Sequence, residues 1–160
     1  MAPLAKKVKG AFSLENDGAV FDCPVDHEIV VSTDTLISSV HFFEKDRPED
    51  IASKLIGVNL SDLAAMGAKP LHYTLNCSYP SSTTIEWIEA FTSQLSSLQE
   101  RFDFTLIGGD TTRTHGPLTL SLTAFGTLPK GQSLLRTRAQ VNDLICVSET
   151  IGNAALVLNY

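Results

Sequence analysis

A chain of 160 residues with 43% hydrophobic and 19% charged residues has the material for one packed core and is no disordered tail. Its net charge of −6 disfavours general nucleic-acid binding, which needs a clustered positive surface, although carboxylates can still hold phosphates through divalent cations. No apolar run approaches the roughly 20 residues of a membrane-spanning helix, and MAPLAKKVKG has lysines without the apolar stretch of a secretory leader.

In chain order, EIVVST (28–33) has the β-branched density of a buried strand. RPEDIASKLIGVNLSDLAAMGAKP then reads as a helix. Pro48 sits near its first turn, Glu49 and Asp50 suit its positive end, and Gly67 with Pro70 supplies the stop. Ile51, Leu55, Val58 and Asp62 follow its helical spacing. LHYTLNCSY predicts a strand. Residues 84–101 predict an amphipathic helix with Ile85, Ile88, Phe91, Leu95 and Leu98 on one face. Strands follow near 104–108, 117–127 and 143–148.

Residues 1–15 read as an N-terminal tail, 16–151 as one domain, and 152–160 as the truncated start of a helix leading to a further domain. Gly152 and Asn153 look like that helix entry, and the few apolar residues after them cannot hold a helix in water unaided. Cys23, Cys77 and Cys146 have spacings that suit neither zinc nor a disulfide set. Cys77 and Cys146 lie in apolar runs and are expected as buried free thiols, which points to a reducing cytoplasm.

Four aspartates share an odd context: Asp17 in ENDGAV, Asp34 in VVSTDT, Asp62 in VNLSDLAAMG and Asp110 in LIGGDTT. A carboxylate within an apolar helix is costly unless paired or bound to a cation. Small polar residues and an aspartate after a strand recur at the carboxyl rim of sheets. Were the four to converge, only cations would neutralise them, and hard oxygen ligands mean Mg²⁺ bridging to phosphates. Ser32 and Thr33 would add oxygens through hydroxyl or carbonyl, and Gly108 and Gly109 would let backbone approach a phosphate. Taken singly, each aspartate is more often a cap or turn residue. Asp62 has a simple alternative in pairing with Lys54, His41 in packing, and Arg136 with Arg138 in a solvated basic edge.

The strings VVSTDTLISSVHF, KLIGVNLSDLAAMGAKP and LIGGDTTR, in this order and at these separations, resemble thiamine-monophosphate kinase, of the aminoimidazole-ribonucleotide synthetase-like ATP-binding superfamily, from about Asn16 to Gly152. The resemblance implies an α/β (α+β two-layer) domain with a mixed sheet, helices on one face and strands pairing across a homodimer. It implies Mg²⁺ at Asp17, Ser32, Thr33, Asp34, Asp62 and Asp110, ATP at Gly109 and Arg136, and the acceptor, thiamine monophosphate, at His41. The implied reaction is transfer of the ATP γ-phosphate to thiamine monophosphate, giving thiamine diphosphate and ADP in the cytoplasm, with no nucleic acid or membrane partner.

Departures from the family pattern are Asn16 for a usual aspartate, Gln140-Val141-Asn142-Asp143 for a Lys-Pro-Gly-Asp turn, and Glu149 for a glycine. The family's carboxyl-terminal domain, with further metal ligands and part of the thiamine pocket, is absent, so this piece alone is expected to be inactive or weakly active. Two alternatives stay open: a non-catalytic dimerisation and nucleotide-binding fragment, or a related ATP-dependent synthetase.

Overall fold

The structure, a computed structural model, describes residue 4, residues 9–147 and residues 150–152. Four strands, β1 (His27–Ile37), β2 (Lys69–Pro80), β3 (Thr105–Thr114) and β4 (Thr119–Pro129), form one mixed sheet. The order across it is β1-β4-β2-β3. β4 runs antiparallel to both β1 and β2, and β2 runs parallel to β3. Two helices, α1 (Pro48–Ala65) and α2 (Ile85–Phe102), cover one face, as the two-layer reading expects.

α1 starts where Pro48 presets the backbone and ends where Gly67 takes φ 76°. There the Ala68 N–H closes back on the Leu63 carbonyl at 2.9 Å. α2 is capped by Thr84, whose hydroxyl accepts from the Trp87 N–H at 3.2 Å. Its buried row is Phe91, Leu95, Leu98 and Gln99, whereas Ile85, expected on that face, is 71% exposed in the first turn. The buried Gln99 is satisfied by β3, since its Oε1 accepts from the Leu106 N–H at 2.6 Å.

Alternation along the strands divides the sheet. Tyr73, Leu75 and Cys77 of β2 and Leu120, Leu122 and Ala124 of β4 are fully buried under Leu55, Ile56, Leu63, Phe91 and Leu95. Each leucine, isoleucine or phenylalanine among them contributes about 1.5–3 kcal/mol on leaving water. The other face carries Thr33, Thr35, Ser121, Thr123 and Asn76. It is partly covered by the segment after the short 3-10 turn Lys9–Leu14. Ala11, within the stretch read as a tail, packs against Ile107, and the Phe21 ring meets His72 edge-on at 5.1 Å and Phe125 at 5.5 Å.

The strand expected at 143–148 is not formed over 143–147. Leu144 and Ile145 are more than 90% exposed there and pair with neither sheet edge. Cys146 is therefore exposed rather than buried, while Cys77 is buried as expected. Ser148 and the helix expected from Asn153 lie outside the described residues, and Gly152 sits in a turn.

Candidate active site

One group of the predicted residues gathers where α1 runs along the edge strand β1. Ser32 and Asp34 alternate toward the helix layer, and the Ser32 hydroxyl donates to Asp62 Oδ2 at 2.7 Å. Asp62 is exposed, on the flank of the buried row Ile51, Ala52, Leu55, Ile56, Asn59 and Leu63, so it escapes the desolvation cost expected of an apolar helix interior. Thr33 faces the other way, its hydroxyl 2.5 Å from that of Thr123, which leaves only its backbone for the Ser32 side.

Beyond β1 the chain turns tightly. The His41 Nδ1 accepts from the Ile37 N–H at 3.0 Å, so the ring proton sits on Nε2 and remains free to donate. Arg136 is exposed in a short 3-10 turn. Two residues earlier the Leu134 N–H donates to the Met66 carbonyl at 3.0 Å, which brings this basic turn to the end of α1 that carries Asp62.

A second group lies at the opposite edge, on β3. Gly109 has φ 145°, and a Cβ there would stand 2.0 Å from the Leu75 carbonyl oxygen, so no other residue fits. Beside it Asp110 Oδ1 accepts the Thr111 N–H at 2.7 Å. Leu14, Gly108, Gly109 and Asp110 help line a cleft of about 290 Å³. Asp17 is exposed in the bend that follows Leu14 on the N-terminal segment.

The four aspartates therefore do not meet within one chain. Three strand spacings, roughly 14 Å, separate β1 from β3. Register also aligns Asp110 with Asn76 on the face away from the helices, whereas Asp34 pairs with Leu122 on the helix side. Neither Asp34 nor Asp110 ends its strand, because the threonines after each keep pairing, to Ile37 in β1 and to Thr114 in β3. Among the described residues no group of three or more His, Cys, Asp or Glu side chains could hold a metal. Yet the ion pairs found among them join Arg47 to Glu49 and Asp50 and involve none of the four aspartates. The Asp62 carboxylate, in none of these ion pairs and beside the Ser32 hydroxyl, fits part of the shell of a hard cation such as Mg²⁺.

A family model described as AIR synthase related protein, N-terminal domain, matches residues 15–128, which span β1 to β4 and every predicted site residue except Arg136. The chain belongs to this AIR synthase related family. Within the family it is similar to the thiamine-monophosphate kinase of Buchnera aphidicola subsp. Acyrthosiphon pisum, 40% identical over 150 residues, covering 94% of this chain and 46% of that protein. The crystal structure of thiamine-monophosphate kinase from Stenotrophomonas maltophilia K279a superposes with TM-score 0.83 at 48% identity, over 91% of this chain and 45% of that one. AaThiL complexed with AMPPCP and TMP shares the fold at TM-score 0.63 and 24% identity, over 74% of this chain and 39% of that one. The chain thus spans a little under half the length of the relatives it matches.

One residue of this AIR synthase related domain takes a partner other than the Asp62 that its sequence position offers. Lys54 instead donates through Nζ to the His41 carbonyl, about two helical turns from Asp62. The signal was present, since positions 54, 58 and 62 fall on one side of a helix. No sequence pattern says what that side faces.

Proposed function

We propose that the chain is the amino-terminal domain of a thiamine-monophosphate kinase, acting as a homodimer and moving the γ-phosphate of ATP to thiamine monophosphate with Mg²⁺. The observation that carries this is the Ser32–Asp62 hydrogen bond, which joins two family strings, STDT and NLSDLAAMGA, at an edge of exposed oxygen donors. Relatives named thiamine-monophosphate kinase at about 40% identity support this acceptor over that of another synthetase. The AaThiL complex with AMPPCP and TMP supports the ligand pair. Among the described residues no helix is long and apolar enough to cross a membrane, and this reading places the protein in the cytoplasm.

In this reading an oxygen of the acceptor phosphate attacks the γ-phosphorus in line. A new P–O–P link forms, the bond from the γ-phosphorus to the β–γ bridging oxygen breaks, and ADP leaves with that electron pair. The acceptor oxygen is already anionic, so no side-chain base is needed. Bound Mg²⁺ would supply the positive charge that lets two polyanions approach. Ser32, Asp34, Asp62 and the Thr33 carbonyl would hold one ion at the α1–β1 edge, and Asp17 and Asp110 would hold another at the β3 edge. Gly109 leaves its backbone open to the nucleotide phosphates and Arg136 adds charge-assisted bonds to them. His41 turns Nε2–H toward the acceptor. Since one chain unites only part of this set, a second reading is a nucleotide-binding module that needs its missing half for turnover.

The test is chromatographic detection of thiamine diphosphate from thiamine monophosphate, ATP and Mg²⁺, with Asp62→Asn alongside. Joined to the remaining half, the protein is expected to turn over and Asp62→Asn to lose roughly a hundredfold or more. Undiminished turnover in Asp62→Asn would remove the metal role, and ATP-analogue binding without product would favour the module.

A further inference from the structure

Lys54 and Asp62 stand eight residues apart on α1, about 12 Å along its axis, on one side of the helix. Each reaches the polypeptide of or just beyond β1: Asp62 takes the Ser32 hydroxyl, and the Lys54 ammonium donates to the His41 carbonyl. One helix thereby ties down both ends of the segment that carries Ser32, Thr33, Asp34 and His41. The turn at His41 has other ties as well, among them the Ser39 N–H donating to the Phe42 carbonyl at 2.8 Å. The His41 N–H donates to the Ile37 carbonyl at 2.9 Å while the ring takes the Ile37 N–H, and Phe42 is buried in the core. None of these takes up the His41 carbonyl, which is the atom Lys54 binds. A carbonyl that accepts from a cation makes a stronger, more directional bond than a neutral pair.

We propose that Lys54 is a positioning residue for the phosphate acceptor, its ammonium fixing the His41 peptide so that Nε2–H points at the substrate. This rests on the reading of His41 as the acceptor contact. Lys54 is exposed, and α1 retains its apolar row without it, so substitution should spare the fold.

The test compares Lys54→Met, Lys54→Arg, His41→Asn and the Lys54→Met/His41→Asn double variant in the full-length enzyme. KM for thiamine monophosphate, KM for ATP, kcat and thermal unfolding are read for each. Lys54→Met is expected to raise KM for the acceptor roughly tenfold with KM for ATP unchanged. Lys54→Arg, which keeps a charged donor, should restore most of the loss, and the double variant should be no worse than His41→Asn. A merely structural lysine would instead lower the melting temperature and shift both KM values, and that result overturns the proposal. So does an unchanged acceptor KM in Lys54→Met while His41→Asn raises it. An unchanged acceptor KM in His41→Asn overturns the reading of His41 itself, and the role of Lys54 falls with it. Should Lys54→Met not fold, Lys54→Gln takes its place with the same expected split.

Discussion

Cys77 shows how far a single side chain follows from its surroundings. It sits in the middle of β2 at 1% exposure, and burial pushes its thiol up to about 11, against a smaller downward pull from a hydrogen bond with Tyr79. Between its ordinary value of 9.0 and that raised one, the unfolded chain sheds a proton that the folded chain keeps. Cys77 therefore costs stability as pH rises through that window and costs none below it. Cys23 and Cys146 are exposed. With an aromatic disulfide reagent near pH 8, those two thiols are expected to react at once and Cys77 only after unfolding. Three equally fast thiols would show that β2 is not buried as described.

The sequence marked Cys77 as buried, but it marked Cys146 the same way, because DLICV and YTLNC look alike in letters. What separates them is a partner. β2 lies between β3 and β4, and residues 143–147 pair with no strand. Gly109 teaches the same lesson. GGD was legible as a tight approach to phosphate, while the Leu75 carbonyl that forbids a side chain there belongs to another strand.

At the scale of elements, both helices were legible to within a residue or two, since capping and stop signals are local. The lengths of β1 and β3 were not. Threonine-rich strings read as turns until neighbouring strands give their N–H and C=O groups partners. The face away from the helices illustrates the consequence. Thr35 donates to Ser121 at 2.9 Å and Thr112 to Ser78 at 3.2 Å, a row of paired hydroxyls beside the exposed Val31. A face that satisfies its own polar groups costs little to cover, and the proposed dimer would cover it. The protein is expected to sediment as a dimer, and Thr123→Arg, at the middle of this face, as a folded monomer. A monomeric parent, or a dimer indifferent to that arginine, would place the contact elsewhere or remove it.

Over the whole molecule, the candidate residues divide between two edges, one built by β1 and α1 and the other by β3 and the N-terminal segment. That division was not legible in sequence, where four aspartates in similar strings suggested one cluster. Strand order decided it: β4 and β2 stand between the two edges, and alternation turned Asp34 and Asp110 to opposite faces. A site drawing on both edges would need parts beyond one copy of this chain, and the relatives it matches are more than twice its length. In the proposed reading, carboxylates at these edges hold nucleotide phosphates only through magnesium. Calorimetric titration of the protein with a non-hydrolysable ATP analogue, with and without Mg²⁺, in the parent, Asp34→Asn and Asp62→Asn, tests it most directly. Binding that requires Mg²⁺ and weakens roughly tenfold or more in each variant is the predicted result. Equal binding without Mg²⁺, or binding untouched by either substitution, would contradict it.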